Sequence, residues 1–329
     1  MLCEVIAEIG INHNGVYWKT RQMIRDAAAA GCKCVKFQCH VVEDEYIPLA
    51  REIIPANATE NIYDMMERCS FSEEDERDLK ARTEELGMQY LCTPFSRAAV
   101  DRLERLNVTM YKVGSGELNN YPLVKHIVSK GKPIILSTGM NDFPAIDKAV
   151  DIIGDQLYAI LHCVSEYPTP YEHVNLPCML ELGRRYNVPY GLSDHSIGIY
   201  TALAAVALGA SVVEKHFTSD KSWAGPDIPI SITPGELRDL VLGTQAILDA
   251  TRQNTEAILG EQSTAIFAFA SVVSTNDIAA GDKLTQANVW VKRPGGGIPA
   301  AQYDAILGKI AKRDIGKDKQ ITWDDLTAN

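Results

Sequence analysis

The chain has 329 residues, of which 46% are hydrophobic and 23% are charged, as in an ordinary soluble globular protein. Its formal net charge of −11, with no basic tract, argues against a nucleic-acid-binding protein. No apolar run approaches the roughly 20 residues that span a bilayer, and the acidic N-terminus lacks the basic region of a secretory signal. The eight cysteines form no CxxC pair, so we expect reduced thiols in a cytoplasmic protein without membrane partners.

Short apolar strands alternate with amphipathic helices over the first 250 residues, and glycines at 31, 87 and 209 close several of the helices. About eight strand–helix units in roughly 250 residues predict a (β/α)8 TIM barrel. An open doubly wound sheet is the alternative, although Glu8–Gly15 is not the GxGxxG turn typical of that fold. The predicted strands are Val5–Ile9, Cys34–Phe37, Gln89–Cys92, Met110–Val113, Ile134–Ser137, Tyr158–Cys163, Val188–Gly191 and Ser211–Glu214. The predicted helices include Lys19–Ala30, Ser72–Leu86, Arg97–Leu106 and Ile199–Leu208.

The C-terminal part of the chain has a different pattern. A polar segment from about Asp249 to Thr264 lacks strand signals and is interpreted as a linker. Beyond it, Asp277–Thr285 resembles Asp314–Thr322, and two copies are too few for a solenoid. They favour a pseudo-symmetric β module of about 60 residues. Because its core would be small, we expect it to pack against a partner surface. We therefore predict a barrel over 1–250, a linker over 251–268 and a β-rich domain over 269–329.

Two histidines, His195 and His216, come directly after the seventh and eighth predicted strands. Because successive parallel strands end at the same edge, we expect the two imidazoles to lie side by side at the barrel mouth. Two neutral imidazoles with open coordination positions suit a divalent metal. Taken alone, such a pair is more often structural, but polar residues at the other strand ends favour a metal site.

Polar side chains also follow the other strands, at the end where barrel enzymes carry their catalytic groups. Lys36 and Lys112 could hold a phosphate and a carboxylate, with hydroxyls and turn N–H groups as further donors. Glu117 is a candidate general acid/base, and a salt-bridged structural carboxylate is the alternative. The polar strand-end residues are Glu8, Asn12, His13, Lys36, Gln38, Thr93, Lys112, Ser115, Glu117, Ser137, Ser165, Tyr167, Ser193, Asp194 and Lys215.

Short motifs occur in a fixed order along the whole chain, and together they are far more specific than any one of them. They are Ala7–Gly15, Lys36–Gln38, Thr93–Arg97, Lys112–Glu117, Ser137–Met140, Gly191–His195, Glu214–Phe217, Gly225–Asp227 and Lys292–Gly295. This ordered set resembles the bacterial N-acetylneuraminate (sialic acid) synthase family. The resemblance includes that family's C-terminal SAF, or antifreeze-like, domain of the β-clip type.

The resemblance implies a transferase that condenses phosphoenolpyruvate with the open-chain aldehyde of N-acetylmannosamine. It implies that His195 and His216 hold Mn²⁺, with Mg²⁺ or Co²⁺ as alternatives, and that Arg293 enters from the neighbouring subunit of a domain-swapped homodimer. The implied catalytic residues are Glu117, Glu8 and Lys36. Lys36 and Thr93 would contact the phosphoenolpyruvate carboxylate, Lys112, Ser115, Ser137 and Ser193 its phosphate, and Gln38, Asn57, Tyr167 and Asp227 the sugar.

Three alternatives stay open at this point. Sister synthases that make legionaminic or pseudaminic acid share most of the motifs. Another phosphoenolpyruvate–aldehyde synthase, which makes a different nine-carbon acid or a 3-deoxy sugar acid, is the second alternative. Ser165 stands where some family members carry an asparagine that contacts phosphate, so the loop after the sixth strand departs from the pattern. A non-catalytic protein that binds a surface or partner through its antifreeze-like module is the third alternative. For Arg293 alone, the alternative to a site residue is a solvated surface charge of the β module.

Overall fold

The structure is a computed structural model that describes residues 3–252 and 260–327. The chain divides into two compact units, Met1–Arg252 and Gln253–Asn329. The domain bounds given above stay a prediction, and a helix occupies residues 262–268 within the segment interpreted as a linker. None of the helices in the described part of the chain is long and apolar enough to cross a membrane.

The strands of the first unit form a closed parallel barrel in which the last strand pairs with the first. This arrangement confirms the predicted TIM barrel and excludes the open doubly wound sheet. Within residues 3–252 the strands are β1 (Glu4–Glu8), β2 (Cys34–Cys39), β3 (Gln89–Pro94), β4 (Tyr111–Val113), β5 (Ile134–Ser137), β6 (Leu157–Cys163), β7 (Tyr190–Asp194) and β8 (Val212–His216).

Helices follow the strands and cover the outside of the barrel. Several helices have a polar N-cap residue: Asn61, Ser72 and Ser96 each accept a hydrogen bond from the backbone N–H three residues later. Gly31, Gly87 and Gly209 have φ values of 85°, 72° and 95°, the left-handed conformation expected after a helix. The helices are α1 (Tyr17–Ala29), α2 (Val42–Glu45), α3 (Ile62–Cys69), α4 (Glu73–Glu85), α5 (Arg97–Arg105), α6 (Tyr121–Val128), α7 (Phe143–Ile153), α8 (Leu176–Tyr186), α9 (Tyr200–Ala207) and α10 (Pro234–Ala250).

The interior of the barrel changes from apolar to polar along its axis. Alternate strand residues point to the same face, so a side chain two positions further along lies one layer higher. Three buried apolar side chains, Ile6, Cys34 and Val212, belong to a cluster inside the barrel. The residues two positions later on the same strands are Glu8, Lys36 and Glu214, all buried. The apolar layer therefore supports a charged floor beneath the mouth.

The second unit is a small β module with its own core of buried aliphatic side chains. The two copies of its internal repeat pair with each other, because Asp314 Oδ1 accepts from Ala280 N (2.7 Å) and Asp277 Oδ1 from Lys317 N (2.8 Å). This reciprocal bonding agrees with the predicted pseudo-symmetry. Among residues 260–327 the strands are β9 (Ser271–Ser274) and β10 (Val289–Lys292), which pair antiparallel, and the helices are α11 (Gln262–Ala268) and α12 (Tyr303–Ile306).

Candidate active site

A cavity of about 260 Å³ opens at the carboxyl ends of the barrel strands. Most of the predicted site residues line it, namely Glu8, Lys36, Gln38, Thr93, Lys112, Ser115, Ser137, Tyr167, Ser193, His195 and His216. The remaining lining residues are Phe95, Gly114, Gly116, Met140, Cys163, Ser165 and Glu214.

The floor of the cavity is a row of alternating buried charges. Glu8 Oε2 lies 2.9 Å from Lys36 Nζ, which in turn lies 3.5 Å from Glu214 Oε1. Glu214 Oε2 lies 3.6 Å from Lys112 Nζ, and that ammonium donates to Ser137 Oγ at 2.6 Å. Glu214 Oε2 has no hydrogen-bond partner among the described residues. The ion pairs thus leave acceptor and donor capacity that a polar ligand can use.

Burial and mutual attraction shift the ionisation of these groups in different directions. Burial alone would lower the pKa of Lys36, but Glu214 and Glu8 raise it above its usual value. Burial lowers the pKa of Lys112, with partial compensation from Glu214. Burial opposes the carboxylate of Glu214, yet Lys112 and Lys36 hold its pKa below the usual range, whereas burial raises the pKa of Glu8. An anionic ligand beside Lys112 would favour the ammonium form there.

Hydroxyl groups gather on one side of the floor. Ser115 Oγ accepts from Gly139 N at 2.9 Å. A Cβ atom at Gly139 would lie 2.6 Å from Ser165 Oγ and 2.9 Å from Ser115 Oγ, so a larger residue there would displace the two hydroxyls. The Ser165 hydroxyl, where the loop departs from the family pattern, therefore lies beside Ser115 in the same cluster of donors.

The two histidines meet at the mouth, with ring centroids 5.4 Å apart. His195 Nδ1 donates to Val164 O at 2.8 Å, which leaves its Nε2 free as a ligand atom. His216 Nδ1 is buried without a hydrogen-bond partner among the described residues, 3.8 Å from Asp227 Oδ2. Burial and His195 hold the pKa of His216 well below its usual value, which favours the neutral imidazole that a metal requires. Tyr167 stacks on His195 at 4.2 Å.

These residues fit a divalent ion with few protein ligands. In the described ranges, no group of three or more His, Cys, Asp or Glu side chains has the spacing of a metal site. An ion at the mouth would therefore take the two imidazoles and leave its other positions to substrate and water, as catalytic metals require.

The structure does not bring every predicted residue to the cavity wall. Asp227 is buried beside His216, and burial raises its pKa to about 6. Glu117 follows β4 but accepts from Asn120 Nδ2 at 2.7 Å and is outside the lining; burial raises its pKa. Asn57 is exposed, in the segment between residue 52 and α3. Arg293 is exposed and belongs to the second unit.

Two ionisable lining residues, Glu214 and Cys163, were not among the predicted site residues. Glu214 lies between the two lysines, and its position two residues before His216 on β8 was the signal that could have identified it. Cys163 ends β6, where its Sγ lies 3.8 Å from His195 Nδ1. Burial opposes the thiolate, but the His195 imidazole lowers the pKa of Cys163 to about 7.

Comparison with known proteins agrees with this site. The NeuB family model matches residues 23–256, and the SAF domain model matches residues 269–327. The chain is 35% identical over 327 residues to the N,N'-diacetyllegionaminic acid synthase of Campylobacter jejuni subsp. jejuni serotype O:2, covering 96% of this chain and 98% of that one. It is 34% identical over 317 residues to human N-acetylneuraminate-9-phosphate synthase, covering 94% and 88%.

A solved structure shows the same fold. The N-acetylneuraminic acid synthetase of Leptospira borgpetersenii serovar Hardjo-bovis, in complex with citrate, aligns with a TM-score of 0.72 at 31% identity, covering 80% of this chain and 90% of that one. The resemblance and the SAF domain predicted from the motifs are confirmed. The chain belongs to the NeuB family, and it is an enzyme of the phosphoenolpyruvate-dependent condensing type.

Proposed function

We propose that this enzyme condenses phosphoenolpyruvate with the aldehyde of a 2-acetamido sugar, giving a nine-carbon 2-keto acid and inorganic phosphate. N-Acetylmannosamine, which yields sialic acid, is the proposed sugar, and the precursors of legionaminic or pseudaminic acid are the alternatives. The observation that supports the proposal is one cavity that joins two buried lysines, a cluster of hydroxyls and two histidines.

Phosphoenolpyruvate fits the floor of the cavity. Lys36 and Thr93, whose Nζ and Oγ1 atoms lie 3.4 Å apart, would hold its carboxylate. Lys112 would hold the phosphate at the other end of the floor. Ser115, Ser137 and Ser193 would complete the phosphate site.

The sugar would lie above phosphoenolpyruvate, between the floor and the mouth. Gln38, Tyr167 and Asp227 would bind its hydroxyl and acetamido groups. His195 and His216 would hold the divalent ion, proposed to be Mn²⁺ with Mg²⁺ or Co²⁺ as alternatives, which when bound would polarise the aldehyde oxygen.

The reaction needs charge stabilisation and one proton acceptor from the protein. Attack of phosphoenolpyruvate C3 on the aldehyde leaves positive charge at C2, which the carboxylates of the floor, Glu8 and Glu214, would stabilise. Glu117, whose pKa is raised by burial, suits the removal of a proton from the water that attacks C2. The adduct then expels phosphate by cleavage of the C2–O bond, and Lys36 and Lys112 bind the anions formed.

A second copy of the chain is part of the proposal. Both units carry exposed apolar side chains of the kind that mark interfaces, and Arg293 has the fork geometry to bind a sugar oxygen in a neighbouring site. We propose a domain-swapped homodimer, in which Asn57 also meets substrate at the interface. The exposed residues are Ile47, Leu49, Ile53 and Ile54 in the first unit and Ile266, Phe267 and Phe269 in the second.

We also propose a cytoplasmic location. All eight cysteines, which lie between residues 3 and 178, carry free thiols, as expected where thiols stay reduced. Product analysis with isotopically labelled phosphoenolpyruvate and a panel of 2-acetamido sugars tests the proposed reaction.

A further inference from the structure

His40 does not line the cavity, but it is hydrogen-bonded to Gln38, which does. His40 follows β2, is 3% exposed and packs flat against Phe95, with ring centroids 4.5 Å apart at 13°. Its Nε2 lies 3.1 Å from Gln38 Oε1, and its Nδ1 lies 2.8 Å from Glu45 Oε2. Both ring nitrogens are therefore engaged, and the ring has no direct route to the substrate.

The far side of Gln38 fixes which way its amide points. Gln38 Nε2 donates to Glu8 Oε1 at 3.2 Å, and the other oxygen of that carboxylate lies 2.9 Å from Lys36 Nζ. Because Nε2 faces the carboxylate, Oε1 must face His40, and His40 Nε2 must carry the proton of that bond. A proton also lies between Nδ1 and Glu45 Oε2, so one chain of hydrogen bonds joins Glu45 to the floor of the cavity.

We propose that His40, oriented by Glu45, is a positioning residue that fixes the amide of Gln38 and thereby sets which polar group of the acceptor sugar the enzyme selects. With Oε1 occupied by His40, Gln38 presents its second N–H to the cavity as a donor. It would therefore recognise a sugar oxygen that accepts a hydrogen bond, rather than a group that donates one. The inference rests on the proposed function, in which Gln38 contacts the sugar.

Glu8 alone would not hold this orientation. A single contact at Nε2 would leave the amide free to turn over. The second contact, between His40 Nε2 and Oε1, engages the opposite end of the amide and opposes that rotation. Stacking on Phe95 restricts the ring to a plane in which it reaches both partners.

Kinetics of a double-mutant cycle tests the proposal. His40→Phe keeps a ring against Phe95 but removes the donor, and we expect KM for the acceptor sugar to rise about tenfold, the size of one fixed hydrogen bond. KM for phosphoenolpyruvate should change less than about twofold. In a Gln38→Ala background, His40→Phe should have no further effect on the sugar KM. His126→Phe is the matched control, since its Nε2 bonds Asp101 at the outside of the barrel and it should leave both constants unchanged.

Glu45→Gln gives the same test with the ring in place, and we expect a smaller rise in the sugar KM in the same direction. Additive effects of His40→Phe and Gln38→Ala, or equal rises in both KM values, would overturn the proposal. If the wild-type enzyme condenses none of the sugars, the proposed function fails, and a spectroscopic readout decides the inference separately. In ¹⁵N-histidine-labelled protein, the His40 Nε2 signal should be that of a protonated nitrogen and should change in Gln38→Ala. An unprotonated Nε2 would contradict the proposal.

Discussion

His195 and His216 differ in what surrounds their Nδ1 atoms. The carbonyl of Val164 accepts from one ring, whereas the other Nδ1 is buried without a hydrogen-bond partner in the described ranges, 3.8 Å from Asp227 Oδ2. A ring nitrogen buried without a partner costs about 1–3 kcal/mol, which a ligand bound to that nitrogen would recover. The unpartnered Nδ1 of His216, beside the fixed ring of His195, supports the proposal of a divalent ion at this pair.

Removal of either imidazole tests that assignment. In chelator-treated protein, His195→Ala and His216→Ala should each weaken Mn²⁺ binding by at least about 100-fold, measured by calorimetric or magnetic-resonance titration. Turnover should fall by at least about 10³, because the Lewis acid supplies several kcal/mol. His173→Ala, at an exposed histidine paired with Glu166, is the control and should bind the ion normally. Wild-type affinity in both site variants would contradict the assignment.

Residue types and strand ends predicted most of the cavity lining, because the alternation of a strand fixes which side chains face inward. The eighth predicted strand ended at Glu214, but only the residues after it, Lys215 and His216, were taken as site residues. Sequence reasoning could not place Glu117, since the orientation of a carboxylate in a turn depends on Asn120, three residues on. His40 escaped because its contribution is made through Gln38 and not through the cavity.

At the scale of elements, the close approach of β7 and β8 sets the spacing of the histidine pair. Gly191 pairs with Val212, and each stands four residues before one of the histidines. A Cβ atom at Gly191 would lie 1.9 Å from Val212 O, so the two strands reach this separation only with glycine there. The buried pair of Lys215 Nζ and Asp194 Oδ2, 3.0 Å apart, links the same two strands at their carboxyl ends.

Gly191→Ala should therefore lower the stability of the barrel by about 3 kcal/mol, because a backbone clash has no flexible atom to relieve it. The measurement is the denaturant midpoint of the barrel transition, followed separately from that of the second unit. Gly235→Ala is the matched control, because Gly235 stands in the first turn of α10 and a Cβ there would meet no described atom within 4 Å beyond its chain neighbours and the adjacent helix backbone. It should be neutral or slightly stabilising. Equal midpoints for the two variants would show that the strands have room for a side chain.

The predicted strands and helices agree with the structure to within a few residues, because short apolar runs mark the strands and closing glycines mark the ends of several helices. No helix was predicted from the sequence between β2 and α4. The structure has two there, but α2 has four residues and α3 eight, which is too short for a helical hydrophobic period to be recognised. The helix α11 lies in a polar segment where composition predicted only a linker.

At the scale of the whole molecule, the predicted Arg293 contribution depends on a second subunit. Arg293→Ala and His216→Ala homodimers should each be nearly inactive. In mixed dimers, the barrel that keeps its histidines receives an intact arginine from the other chain. Random reassortment makes about half the dimers mixed with one good site each, so about a quarter of wild-type activity should return. No recovery on mixing would mean that Arg293 acts within its own chain or outside the reaction.

The most direct test of the proposed reaction is the fate of ¹⁸O placed in the C2–O–P bridge of phosphoenolpyruvate. The enzyme is incubated with the labelled compound, Mn²⁺ and one sugar at a time: N-acetylmannosamine, its 6-phosphate or a diamino hexose. The ¹⁸O content of the keto acid and of the released phosphate is then measured by mass spectrometry. We predict a nine-carbon keto acid from N-acetylmannosamine, with the label in the phosphate, because the C2–O bond breaks. Label retained in the keto acid, or no condensation with any of the sugars, would contradict the account; a product only from a diamino hexose would change the sugar but keep the chemistry.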